Sequence, residues 1–101
     1  MEPKVKLYID DGLWIRELVF EHAGDCHAGH LHSHEHKTLV PRGSRIRVTV
    51  EGVMRVVEGP AIVKIEAMKV HDLTAEHDGA MAYCVAPIAD VVTNPHQPGR
   101  T

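Results

Sequence analysis

Hydrophobic and polar residues alternate along most of the chain with the two-residue period of β-strands. The clearest case is the segment 45–50, where Ile46, Val48 and Val50 share one face and the polar residues between them share the other. Segment 14–20 fits a strand or one helical turn, and we favour the strand. Similar short runs occur at 5–9, 53–57, 62–65, 70–74 and 81–85, with polar or glycine-containing turns between them. Short strands at this spacing predict an all-β barrel or sandwich.

The length of 101 residues is enough for one hydrophobic core but not for two. No internal repeat or linker divides the sequence, so we expect a single domain over residues 1–101. The end of the chain contains Pro95, Pro98 and Gly99. Because these residues interrupt regular structure, we predict an irregular tail over residues 93–101.

Composition and charge narrow the classes of partner. The net charge is −3 and aromatic residues make up only 4% of the chain, so neither a basic surface nor a row of stacking aromatics supports nucleic-acid binding. No apolar run approaches the roughly 20 residues of a membrane span, and residues 1–4 lack the profile of a signal peptide. Cys26 and Cys84 have no framework spacing. We therefore expect reduced thiols and a cytoplasmic location.

Histidine is concentrated in one short segment. The chain has nine histidines, and those between residues 27 and 36 are His27, His30, His32, His34 and His36. Neutral imidazole is the commonest ligand for transition metals in proteins. On a strand, residues two apart point the same way, so His30 and His32 are predicted to present two ligands on one face. A bend would return His36 to the same place, and His71 would come from a distant strand.

The spacing of this segment resembles the first motif of the cupin family. That motif reads G, five residues, H-x-H, three residues, usually E, six residues, G, and the chain matches it with Gly24, His30, His32, His36 and Gly43. The departure is His36, which stands where glutamate is usual and exchanges a carboxylate for a neutral ligand. Starting the motif at His32 instead would put Thr38 in the third ligand position and both glycines out of phase.

The second cupin motif is represented by its histidine, His71. Glu66, Met68 and Ala75 occupy positions where the family has proline, glycine and asparagine. The resemblance therefore covers roughly residues 24–85. It implies a cupin double-stranded β-helix, a jelly-roll barrel, with a divalent transition metal (Fe, Mn, Zn, Ni or Cu) held inside by His30, His32, His36 and His71. It also implies a frequent homodimer, for which the alternating segment 5–9 offers a strand that pairs with a second copy.

The resemblance does not name a reaction, because a fold hosts many functions. One hypothesis is a metalloenzyme, dioxygenase-like or isomerase-like, acting on a small polar molecule. The alternative is a non-enzymatic metal- or ligand-binding module with a structural metal. Glu35 and Tyr83 are the candidate catalytic residues; the competing interpretations are a solvated charge for Glu35 and ordinary packing for Tyr83.

The remaining candidates have plainer interpretations. We expect His27 and His34 to surround the site or lie on the surface rather than bind metal, and Cys26 to be a small buried thiol. We expect Arg45 and Arg47 to point outward into solvent. The histidines interpreted as solvated loop residues are His22, His77 and His96.

Overall fold

A computed structural model describes residues 1–30 and 34–89 of the protein. This part of the chain contains nine β-strands, which confirms the all-β prediction and the strand interpretation of segment 14–20. The strands are β1 Lys4–Asp10, β2 Leu13–Phe20, β3 Cys26–His30, β4 His36–Val40, β5 Arg45–Val50, β6 Val53–Glu58, β7 Ala61–Ile65, β8 His71–Ala75 and β9 Ala80–Pro87. The predicted tail over residues 93–101 lies outside the described residues.

The strands form two antiparallel sheets. One has the order β1-β2-β9-β4-β7 and the other the order β3-β8-β5-β6. From β2 to β9, every connection except the β5–β6 hairpin crosses from one sheet to the other, as in a jelly roll. The inner faces of the two sheets enclose the core, and the chain returns to the same interior from several directions.

Alternation along each strand decides which side chains enter that interior. On β2 the inward residues are Trp14, Arg16, Leu18 and Phe20, all at most 2% exposed. The inward face of the neighbouring β9 carries only small side chains, Ala80, Ala82, Cys84 and Ala86. Small residues at the centre of one sheet leave interior volume for the larger side chains of the strands beside it.

Two tight hairpins set the register of the sheets. Asp11 and Gly12 join β1 to β2 with φ angles of 49° and 74°, and Glu51 and Gly52 join β5 to β6 with φ angles of 49° and 80°. Consecutive positive φ values are those of the type I′ turn, whose twist matches paired antiparallel strands. No helix in the described part of the chain is long and apolar enough to cross a membrane.

Candidate metal centre

Two of the predicted ligands, His36 and His71, meet in the interior. Each begins a strand, His36 on β4 and His71 on β8, and each is 2% exposed. His36 points inward because it alternates with exposed Glu35 and Lys37. The centroids of the two rings are 5.2 Å apart and their planes are tilted by 51°. Residues 35 positions apart in the sequence thus present imidazoles to each other across the two sheets.

The other two predicted ligands are only partly described. The backbone of His30 ends β3 and pairs directly with His71, after a shift in register between His27 and His30. The side chain of His30 lies outside the described part of the structure, as does the whole of His32. The backbone of three predicted ligands is therefore gathered at one end of the barrel.

Burial keeps the two facing histidines neutral. It lowers the pKa of His36 to about 3, with further contributions from nearby His71, His34, Arg16 and His27. Burial also lowers the pKa of His71. The Nδ1 of His71 lies 3.2 Å from the carbonyl oxygen of Lys69. Because a carbonyl only accepts, Nδ1 carries the proton and Nε2 carries the lone pair, which is the tautomer that binds a metal through Nε2.

The spacing of His36 and His71 fits two ligands of one metal ion. Two imidazoles bound at about 2.1 Å to one ion have centroids roughly 4.5–5.5 Å apart at tetrahedral or octahedral angles, and the His36–His71 separation lies within that range. Among the residues whose side chains are described, no three His, Cys, Asp or Glu side chains form a group that could hold a metal. The described pair therefore fits two ligands of a centre whose remaining predicted ligands are His30 and His32.

The motif glycines have the conformation that their positions require. Gly24 and Gly43 have φ angles of 90° and 89°. This backbone region disfavours residues with a Cβ atom, so glycine is needed at both turns that flank the histidine segment. The same two glycines set the motif register in the sequence.

His34 and His27 are interior residues rather than surface ones. Both are 5% exposed. The ring of His34 stands edge-on to Trp14 at 6.3 Å and lies 6.5 Å from His36. The Nε2 of His27 accepts a hydrogen bond of 3.2 Å from Arg16, because a guanidinium can only donate. A signal for His34 was present in the sequence, since it shares parity with His36.

Arg16 is the interior residue that sequence reasoning missed. It is 2% exposed, and its guanidinium carbon lies 4.8 Å from the centre of the Trp14 ring. The signal was its phase, because Arg16 has the same parity as Trp14, Leu18 and Phe20 on a strand whose other parity is polar or half-buried. A charged residue in the apolar phase of a strand is a candidate for a buried functional group.

The two candidate catalytic residues lie away from this interior. Tyr83 has the opposite parity to Cys84 on β9, and its hydroxyl donates to Glu17 Oε2 at 3.0 Å on the outer face. The phenol therefore faces away from the interior, since it is the alanines and Cys84 of β9 that face inward. Glu35 is exposed and forms an ion pair of 3.3 Å with Lys37, as a solvated charge does. Arg45 and Arg47 are exposed, as expected.

A cavity opens near the end of the barrel where His36 and His71 lie. It is situated between β6 and β7, the outer strands of the two sheets. Its volume is about 260 Å³. Val50, which contributes to its wall, is the direct β-sheet partner of His71. The lining residues are Val48, Val50, Val53, Arg55, Val63 and Lys64. The cavity therefore combines an apolar wall with two cationic side chains.

Comparison with solved structures identifies the fold. The chain is similar to KdgF from Halomonas sp., with 17% identity, a TM-score of 0.70, and coverage of 80% of this chain and 74% of that one. It is similar to a cupin superfamily protein from Desulfitobacterium hafniense, with 13% identity, a TM-score of 0.70, and coverage of 87% and 81%. An RmlC-like cupin protein from Desulfovibrio desulfuricans gives 18% identity, a TM-score of 0.71, and coverage of 85% and 83%. No protein-family model and no curated protein matches the sequence.

These neighbours and the two-sheet topology define the class. The chain has the cupin fold, a jelly-roll barrel, as the histidine motif predicted. Identities below one fifth show the fold alone, and the chemistry of the centre depends on this chain's own residues.

Proposed function

We propose that the protein is a cupin that binds one divalent transition metal through His30, His32, His36 and His71 and presents it to a small polar molecule. The observation that carries the proposal is the His36–His71 pair, buried and facing at a ring separation of 5.2 Å. The pairing of the His30 backbone with His71 supports a third ligand from the neighbouring strand. Iron, manganese, zinc, nickel and copper all accept imidazole ligands, so the donor set leaves the metal open among these.

The residues around His36 and His71 would orient these ligands before any metal binds. The Lys69 carbonyl fixes the tautomer and orientation of His71. The His34 ring lies beside both Trp14 and His36, and all three side chains are buried. A divalent ion held by neutral imidazoles would supply Lewis-acid polarisation of a ligand oxygen or activation of a bound water.

The positions of Glu35 and Tyr83 favour the second candidate, a metal-dependent binding module without catalysis. Neither group lies in the interior, so neither is placed to move a proton at the centre. An oxygenase-like or isomerase-like reaction would then depend on the metal and on the interior basic residues. Anaerobic loading with Fe(II), followed by oxygen uptake and spectra with small diketones, hydroxy acids and catechols, separates the two functions. A four-coordinate metal that none of these compounds perturbs would leave only the binding module.

The metal site itself is tested by elemental analysis of protein purified without an affinity tag. We expect about one metal per chain, and we expect His36→Ala or His71→Ala to weaken metal binding at least about tenfold. The matched control is His34→Ala, which removes a buried imidazole from the same interior and should change metal binding little. If His34→Ala empties the site instead, the assignment of ligands is wrong.

We also propose that the protein forms a homodimer through β1. Val5, Leu7 and Ile9 pair with Leu18, Arg16 and Trp14, so they continue the inner face of the five-stranded sheet. They are nevertheless 52%, 51% and 65% exposed, because β1 extends beyond the part of the sheet that the second sheet covers. A second copy laid against this face would bury an apolar surface that is continuous with the core.

Light scattering at tens of micromolar protein tests the dimer. We expect the mass of two chains for the wild type and of one chain for Leu7→Lys. The control is Val53→Lys, an exposed position on β6 at the edge of the other sheet, which should leave the mass unchanged. A wild-type mass of one chain would contradict the dimer.

A cytoplasmic location remains part of the proposal, supported by the free thiols of Cys26 and Cys84.

A further inference from the structure

Arg16 is a buried cation with an incomplete set of partners. Its Nη1 donates to His27 Nε2 at 3.2 Å, and one face of the guanidinium lies against Trp14. Its Nη2 is also buried, and it has no hydrogen-bond partner among the described residues. A buried guanidinium normally uses its planar fork to bind two acceptors, so the described residues leave one side of this fork for a further acceptor.

The described interior supplies no negative charge for Arg16. Within residues 1–30 and 34–89, the ion pairs involve other groups, and no carboxylate reaches this guanidinium. Cys84, its partner in the sheet register, is an ionisable acid that acts on Arg16 electrostatically. Burial raises the pKa of that thiol, which therefore stays neutral. The neighbouring histidines His36 and His71 are neutral bases and add no counter-charge.

Leaving a cation in this state is costly for the fold. Burial lowers the pKa of Arg16, which reflects the loss of solvation by its charged form. Hydrophobic residues of similar length, such as methionine, would fill the same volume without that cost. A charge kept at such a position is best explained by a ligand that it binds.

We propose that Arg16 binds the carboxylate of a small organic acid inside the barrel, beside the histidines of the metal centre. This inference rests on the proposed function and names the class of molecule that it takes. The geometry favours such a ligand because the two sites occupy neighbouring rows of the same inner surface. Arg16, Cys84 and Thr38 lie in one row across the five-stranded sheet, and Trp14 and His36 each lie two residues before a member of that row, on the parallel strands β2 and β4. One short acid could therefore meet both the metal and Arg16.

A carboxylate suits the site better than a bulkier anion. The fork of the guanidinium and the two oxygens of a carboxylate lie in one plane, and the Trp14 ring covers one face of that plane. Nη2 is the donor on the open side of the fork. One carboxylate oxygen can accept its hydrogen bond, while the rest of the acid extends along the inner surface of the sheet. The ligand class is thus a short acid with a further polar oxygen, such as a hydroxy or keto acid.

The test is calorimetric titration of glycolate, lactate and pyruvate into metal-free and metal-loaded protein, with lactamide as the uncharged analogue and chloride and phosphate as competing anions. We expect the acids to bind and lactamide not to bind. Arg16→Met should weaken acid binding about tenfold or more, since a charge-assisted hydrogen bond is lost. The matched control is Arg42→Met, which removes the same charge from an exposed turn and should leave binding unchanged. Phosphate or chloride binding that equals acid binding would overturn the ligand class.

A second measurement covers the case in which Arg16→Met does not fold. The guanidinium N–H signals of Arg16, assigned by their absence in Arg16→Lys, should shift in wild-type protein when lactate is added and stay in place with lactamide. Unshifted signals, or equal acid binding by wild type and a folded Arg16→Met, would overturn the inference.

The metal-free titration separates this inference from the proposed function. Acid binding that needs Arg16 but occurs in a protein that takes up no metal would support the Arg16 site and remove the metal proposal. If the histidines bind metal and acid binding is unchanged in Arg16→Met, the metal proposal would be supported and the Arg16 site would be overturned.

Discussion

The interior of this barrel has two ends that are built by the same strands but differ in chemistry. At one end lie Trp14, Arg16, His36 and His71, and at the other lie Leu18, Phe20, Val40, Ile46 and Ala75. β2 passes from Trp14 and Arg16 to Leu18 and Phe20, and β8 passes from His71 to Leu73 and Ala75. The antiparallel register gathers the polar starts of β2, β4 and β8 at one end.

The comparison separates what holds the barrel together from what it does. The apolar end buries large side chains completely, so it contributes strongly to the hydrophobic stabilisation. The histidine end buries polar groups at a cost, and such a cost is usual where a site binds a ligand or a metal. Substitutions at the two ends should therefore affect different measurements.

The largest effect on stability is expected at the apolar end. Phe20 is fully buried. Phe20→Ala should lower the free energy of unfolding by about 3–5 kcal/mol, because it removes an aromatic side chain and leaves a cavity. Chemical denaturation of metal-free protein measures this loss. The control is Tyr83→Phe on the outer face, which removes only a half-buried hydroxyl. A loss for Phe20→Ala as small as that of Tyr83→Phe would contradict the division between the two ends.

The next effect is a loss of stability in acid that originates at the histidine end. The pKa of His36 is lowered from 6.5 in the unfolded chain to about 3 in the fold, so the unfolded state binds the proton more readily between these values. The stabilisation is fully present above pH 6.5 and is lost as the pH falls toward 3, by about 1.4 kcal/mol per pH unit for this residue. Denaturation of metal-free protein across this range measures it.

A variant assigns the acid sensitivity to the buried ring. His36→Leu should flatten the pH dependence in metal-free protein, because leucine fills similar volume and cannot take up a proton. His22→Leu, at an exposed position, should leave the dependence as in the wild type. If both variants behave alike, the acid sensitivity comes from elsewhere in the chain.

Metal removal should have a smaller effect than either. A metal that binds only the folded state stabilises it by about 2.7 kcal/mol at a free concentration one hundred times the dissociation constant. Chelation at pH 7.5 should therefore lower the melting temperature of the wild type and leave that of His71→Ala unchanged. A wild-type melting temperature that does not respond to the chelator would contradict a structural contribution from the metal.

Alternation in the sequence predicted seven of the nine described strands, all but β3 and β4, because it reports directly which face of a strand is buried. The sequence predicted the cupin fold through the spacing of Gly24, His30, His32, His36 and Gly43, and the two glycines have the positive φ that this spacing implies. Alternation reports burial but not depth along the barrel. It therefore put Arg16 in the inward phase of β2 without indicating that its side chain lies beside the histidines.

Parity alone left the placement of Tyr83 open for a related reason. Tyr83 shares parity with Met81 and Val85, so it would approach the interior only if those two residues faced inward. In the structure β9 lies at the centre of its sheet, where its inward positions carry Ala82 and Cys84. The interior at this point is filled from the neighbouring strands, so the smaller set of side chains faces inward. Only the order of strands in the sheet, which depends on tertiary pairing, resolves the choice.

The smallest effect is expected at Thr38, on the boundary between the two ends. Thr38 is fully buried, and its hydroxyl lies 3.8 Å from Cys84 Sγ, which makes a weak hydrogen bond at most. Thr38→Val keeps the shape and removes the hydroxyl, so the free energy of unfolding should change by less than about 1 kcal/mol. Denaturation of metal-free protein measures this change, with Val40→Thr as the reciprocal control one inward position further along β4. That control buries a new hydroxyl at the apolar end and should cost more, about 1–3 kcal/mol. Equal losses for the two variants would mean that the polar character does not end at Thr38, because a hydroxyl would then be tolerated equally on both sides of the boundary.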